Sequence, residues 1–358
     1  MTTAKLQTRS KSSWINQFRK LWIWLTVATT LLLISAEWLA AQDYDSLPIN
    51  PGFVIPPDLD DATREERTAR RAEQRKVKTR ITDAKKATSN IIKSNGANIT
   101  GDADLYLREY RLAQMTQTDI ETLSRLGQLR SSFVKDYLSS RIGATTRRAV
   151  IQKTLPILNQ LANGDAYHPA VRINAVTLIG LLDLEAGTTG SPPNPSPEAY
   201  QSLKRIFQTA KEDYLKIAAL SGIRRFAEVT RRRNQAVVGS DIKGQFTSIV
   251  KGKAQGQKEW NDDMDYWLKR RSTQILGFIG EGNDVITASK DVMNAKDIAV
   301  ERDDFWLRFD GLEAISHLKF NALDKRQIDP LIDEVLAFAA YAMKRESKWI
   351  TEQLDDLV

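Results

Sequence analysis

The sequence predicts an all-α chain, an α-solenoid of helix pairs preceded by a signal or anchor helix and a proline-rich, charged linker. Three observations lead there. From Asp104 onward apolar residues recur at three- and four-residue spacing, as in "IETLSRLGQLRSSFVKDYL", with no convincing run of strand-like alternation. Four later segments align on a basic residue: "AVRINAVTLIGLL" at Arg172, "YLKIAALSGIRRF" at Lys216, "WLKRRSTQILGFI" at Lys269 and "WLRFDGLEAISHL" at Arg308. These basic positions lie roughly 40 to 50 residues apart, which leaves room for one further helix in each unit, and that period is the signature of stacked helix pairs.

The first 41 residues read as an address. Lys5, Arg9, Lys11, Arg19 and Lys20 precede the uncharged run "LWIWLTVATTLLLIS", and "AEWLAAQD" follows. A basic, then apolar, then small-residue order is that of a secretory signal cut near Ala41. Held uncut, residues 21–41 would span about 31 Å as a helix, enough for a hydrocarbon core of roughly 30 Å. Trp14, Trp22, Trp24 and Trp38 bracket the apolar centre as interface anchors do. Under either reading the bulk of the chain is exported, to the periplasm or cell envelope, because the basic flank stays inside.

Residues 42–100 form the linker. "DSLPINPGFVIPPDLDD" holds four prolines and is expected to be an extended tether. "ATREERTARRAEQRKVKTRITDAKK" interleaves both charge signs with almost no apolar stripe, so it reads as a solvated helix or a disordered spacer. Residues 101–144 hold the first helices of the folded region, 145–319 the repeats and 320–358 the C-terminal capping helices.

Within the repeats a small residue stands three positions after each basic one: Ala175, Ala219, Ser272 and Gly311. A large apolar one stands ten positions after it: Leu182, Phe226, Ile279 and Leu318. "DYWLK" at Asp265 and "DFWLR" at Asp304 nearly duplicate each other, and "DYLK" at Asp213 is a shortened form. These aspartates are expected N-caps. The partner helices are expected over 145–162, 197–211, 241–254 and 283–296, with Ser196 and Pro197 as a start signal. The second helices are apolar around much of their circumference, which demands cover from neighbouring repeats.

These residues resemble the HEAT repeat. The best match has Leu155 and Pro156 in the first helix, Asp165 in the turn, then Val171, Arg172 and Ala175 in the second helix. Asp213, Lys216 and Ala219, then Asp265 and Lys269, then Asp304, Arg308 and Gly311 are the corresponding positions of the later units. The resemblance implies antiparallel helix pairs stacked into a curved superhelix, over about half the chain.

Chemistry-bearing motifs are sparse. Without cysteine there is no disulfide, thiolate site or cysteine nucleophile. His168 and His317 occupy different repeats and are expected to be structural. "GFIGEGND" ends a helix, where the dipole disfavours phosphate. "NDDMD" lacks the glycine and distal glutamate of a calcium loop and reads as capping. "GTTGSPPNPSPEAY" is expected to be a plain connector. No cofactor, metal or enzymatic activity is expected. The one suggestive surface feature is basic: Arg224, Arg225, Arg231, Arg232 and Arg233, with Lys269, Arg270 and Arg271 on the next unit. More than half of the net charge of +7 sits in the first 41 residues, so nucleic acid is not the expected partner. The expected function is an exported interaction scaffold for a protein partner, with an anionic polymer or membrane surface as the alternative ligand of the arginine run.

Overall fold

Helices dominate the chain, as the apolar periodicity requires. The computed structural model describes residues 44–59, 63–96, 98–252, 262–280, 283–293, 305–318 and 323–355. The expected signal or anchor segment, 1–41, and Asp304 lie outside these residues. Among the described residues no helix is long and apolar enough to cross a membrane. Ser46–Val358 form one compact unit, and Tyr44 and Asp45 belong to another.

The proline-rich segment is not a free tether over 46–53. Leu47 N–H donates to Thr116 Oγ1 at 2.8 Å and Asn50 N–H to the Glu109 carbonyl at 3.0 Å. Phe53 is buried against the rings of Tyr106 and Tyr110, with centroids 6.1 and 5.5 Å away. Burying one large ring offsets the cost of ordering a short segment that proline has already stiffened.

The charged stretch that follows is one helix, α1 (Arg64–Lys93), opened by a capping box. Thr63 Oγ1 accepts from Glu66 N–H, and the Glu66 carboxylate accepts from Thr63 N–H. Its charged first half carries no apolar face. The second half does: Ile81, Ala84, Thr88 and Ile91 recur at helical spacing and pack inward, and the helix rests on α2 (Asp102–Tyr106). A π-helical turn, Leu107–Leu112, continues α2, and α3 (Ile120–Tyr137) follows with Asp119 as its N-cap.

Over the span expected to hold the repeats lie α4 (Ala144–Asn163), α5 (Pro169–Ile179), α6 (Pro197–Thr209), α7 (Asp213–Arg232), α8 (Lys243–Val250), α9 (Asp262–Ile279), α10 (Asn283–Met293) and α11 (Phe305–Ser316). α4 packs on α5, α6 on α7, α8 on α9 and α10 on α11. The second members also touch in succession, α5 to α7 to α9 to α11. Pro156 lies inside α4. Val171, Ala175, Ala219, Ser272 and Gly311 are buried at these contacts, as are Leu182, Phe226, Ile279 and Leu318. The tightest approaches fall slightly later in each helix. A Cβ on Gly180 would lie 2.9 Å from the Gly222 Cα, and one on Gly277 would lie 2.4 Å from the Ala314 Cα. Gly180 and Gly277 are both eight positions past the basic residue of their unit, and Gly222 and Ala314 both six, so the same helix register recurs.

Two caps differ from expectation. Ser196 caps α6 as expected, its Oγ accepting from Ala199 N–H, and His168 caps α5 through Nδ1, accepting from Ala170 N–H. Asp213, however, is the first helical residue of α7, and Asp265 lies in the first turn of α9, ion-paired with Lys269 at 2.6 Å. Glu212 takes the N-cap position of α7 without a capping bond, because its carboxylate is committed to Arg172. The connector after α5 also differs. It forms a short hairpin, β1 (Asp183–Glu185) against β2 (Asn194–Pro195), antiparallel with an irregular register. Strands this short show no alternation that a sequence can display.

The C-terminal segment is a single helix, α12 (Lys325–Asp355), packed on α10 and α11. Leu331 and Phe338 are buried on its inner side. One hydrophobic core runs from Phe53 to Phe338.

Candidate interaction surface

The arginine run is spent largely on holding the helix pairs together. Arg225 forks onto Asp183, with its two terminal nitrogens at 3.0 and 2.6 Å from the two carboxylate oxygens, and also donates to the Gly180 carbonyl at 3.0 Å. Arg233 reaches the hairpin, donating to the Pro192 carbonyl at 2.8 Å and pairing with Glu185 at 3.3 Å. Arg224 and Arg232 share Glu228, and Arg224 stands 4.0 Å from Glu313. Arg270 pairs with Asp310, whose side chain is 2% exposed and also accepts from Gln274. Burial works against the charge of Arg270, but the Asp310 carboxylate outweighs it and raises its pKa. Lys269 holds Asp265.

Two of the eight cations have no carboxylate within ion-pair distance among the described residues. Arg231 donates to the His317 carbonyl at 3.0 Å. Arg271 donates to Gln274 and lies over the Trp267 ring at 5.4 Å; burial, with Arg224 and Arg270 nearby, lowers its pKa. The structure therefore gathers the eight candidate residues on α7, α9 and their flanks, uses Arg225, Arg231, Arg233 and Arg270 as cross-links between units, and engages the others chiefly within their own helices.

Aromatic side chains recur at one position of the second helices, and two of them are exposed. Tyr214, Trp267 and Trp306 each stand two positions before the basic residue of their unit, on α7, α9 and α11. Trp267 is 38% exposed, Trp306 53% and Phe309 42%. Trp306 meets Phe305 and Phe309 edge-on, with centroids at 5.4 and 6.1 Å. Phe305 also packs on Phe338 of α12 at 5.7 Å. Arginines cover several of these rings: Arg270 lies 5.2 Å from the Trp267 centroid, Arg308 4.6 Å from Tyr341 and Arg345 4.5 Å from Phe305. Tyr214 lines a groove of about 410 Å³ between α5 and α7, walled by Ile173, Thr177, Ile217 and Ser221. Along α12, Ile332, Leu336 and Met343 are exposed at four- and seven-residue spacing, so the expected polar outer face of a cap is interrupted by an apolar stripe.

The sequence held a signal for this surface in the near-duplicates "DYWLK" and "DFWLR". Those aromatics read there only as part of a helix start. Their exposure follows from the helix face they occupy, since Leu268 and Leu307, one position on, are buried.

His317 is structural here. Its imidazole is half-buried against Phe278 at 4.8 Å. Burial lowers its pKa below 6.5, Arg231 and Arg224 add to that, and Glu313 and Glu228 oppose it. The folded state thus resists a proton that the unfolded chain accepts, so this contribution is whole above pH 6.5 and is lost as pH falls towards the folded-state value. The urea midpoint is expected to drop between pH 7 and 5, and to drop less in His317→Gln. Equal pH slopes for the two proteins would assign the acid sensitivity elsewhere.

Among the described residues no group of three or more His, Asp or Glu side chains could hold a metal ion. The exposed aromatics and their arginines offer contact area and cation–π pairing rather than proton transfer. Known proteins supply no template for this arrangement: no family model, no curated protein and no solved structure matches the chain.

Proposed function

We propose that the chain is an exported, non-enzymatic interaction scaffold, an α-solenoid of HEAT-like helix pairs that binds a protein partner in the periplasm or cell envelope. The observation that carries this reading is the aromatic row at one repeated position, Tyr214, Trp267 and Trp306, with both tryptophans exposed and Arg270 and Arg271 over the Trp267 ring. Tryptophan, tyrosine and arginine are the residues that dominate protein interfaces. The successive packing of α5, α7, α9 and α11 supports the solenoid reading, since it presents equivalent side chains on one continuous face.

The test is a cross-linked pull-down of the tagged full-length protein from its native envelope, washed at low and high salt. One stoichiometric protein partner is expected to survive high salt. Trp306→Ala and Trp267→Ala are each expected to weaken it by roughly thirtyfold, the scale of an interface hot spot. Recovery only of polymer or lipid, lost at high salt, would favour the arginine run as an anion-binding face. Recovery untouched by either tryptophan change would move the interface off this surface.

A further inference from the structure

A second cluster of cations surrounds a cavity of about 550 Å³ between α1, α3 and the loop that follows α3. Lys85 and Lys93 line it from α1, Lys135 from α3 and Arg141 from the loop. None of the four has a carboxylate within 4.0 Å among the described residues, whereas six of the eight cations on α7, α9 and their flanks do. The one acid in the lining, Asp136, is already paired with Arg111 at 3.2 Å. Four like charges around one hollow repel each other and give it a positive potential, which a bound anion would offset.

The interior is not that of a simple phosphate cup. Ile92 and Ile142 line it together with Tyr106 and Tyr137, and its volume is that of a small-molecule site. Burial raises the pKa of both tyrosines, so neither adds a negative charge to the lining. The loop is held rigidly from below. Arg147, 1% exposed, donates to the carbonyls of Leu138 at 2.9 Å, Ser139 at 2.6 Å and Ile142 at 3.0 Å. That fixes the backbone that carries Arg141, which lowers the ordering cost of binding.

We infer that this cavity binds an amphiphilic anion, a carboxylate or phosphate head on an apolar body, with Lys85, Lys93, Lys135 and Arg141 taking the head and the isoleucines and phenols the body. The site is independent of the aromatic row, so either can fail alone.

Equilibrium dialysis of the full-length protein against decyl phosphate, below its micelle concentration, tests it. One equivalent is expected to bind, with decanol and inorganic phosphate each weaker by roughly tenfold or more, since each lacks one half of the recognised chemistry. The double substitution Lys85→Glu and Lys135→Glu changes exposed side chains and is expected to keep the thermal midpoint while lowering decyl phosphate affinity at least about tenfold. Equal binding of decanol, or affinity unchanged by the double substitution, would overturn the proposal, as would inorganic phosphate binding as tightly as decyl phosphate. Binding to phosphatidic acid vesicles with none to decyl phosphate would also overturn it, because the charges would then serve a membrane surface.

Discussion

Arg172→Ala is expected to lower the unfolding free energy by about 3 kcal/mol, the scale for stranding the partners of a buried charged group. The side chain is 5% exposed and joins two helix pairs. Its Nε donates to the Ala162 carbonyl at 3.2 Å, closing the end of α4. One terminal nitrogen meets Glu212 at 2.9 Å and the Tyr214 hydroxyl at 3.3 Å, and the other meets Asp165 at 3.1 Å. Asp165 is largely exposed, so that arm contributes little. Glu212 is not: burial alone would raise its pKa, but the Arg172 hydrogen bond and charge outweigh burial and lower it. A lowered carboxyl stabilises the fold above its unfolded-state pKa, and that contribution is lost as pH falls through the folded value. Arg172→Ala should therefore also flatten the acid limb of stability measured by urea denaturation at several pH values. Arg172→Lys keeps the charge but not the fork, and should recover only part of the loss. A loss below about 1 kcal/mol for the alanine variant would show that α5 and α7 are held by apolar packing alone.

Gly277→Ala and Gly127→Ala are expected to move stability in opposite directions. Both glycines are inside helices, where alanine is intrinsically better by about 1 kcal/mol. At Gly127 a new Cβ meets nothing within 4 Å, so the gain is expected to appear nearly whole. At Gly277 the Cβ would lie 2.4 Å from the Ala314 Cα and 2.7 Å from its Cβ. Backbone cannot rotate aside, so α9 and α11 must separate, and the net loss is expected to be about 2 kcal/mol. Denaturant unfolding of the two variants reads both signs. A stabilising Gly277→Ala would mean that these helices have slack at their closest approach.

What was legible in the sequence was local. Helix periodicity, the Ser196–Pro197 start and the small residues at one repeated position depend on neighbours within a turn or two, and they located the repeated helices to within a few residues at most boundaries. The hairpin after α5 escaped because strands of three and two residues leave no period. The charged segment was ambiguous because its apolar stripe occupies only its second half, and Phe53 gave no sign of its pocket because Tyr106 and Tyr110 are far along the chain.

The arginine run shows the division most clearly. Its composition alone suggested an anion-binding face, since five arginines exceed what one helix terminus can use. Stacking then brought Asp183 to Arg225 across 42 positions and Asp310 to Arg270 across 40, and so placed acids on those cations. Elsewhere, packing left Lys85, Lys93, Lys135 and Arg141 around one hollow whose single acid, Asp136, is paired with Arg111. Charge type and helix register belong to the sequence alone. Which charges are cancelled is settled by which helices touch, because ion pairing acts over a few ångströms in space and has no reach along the chain.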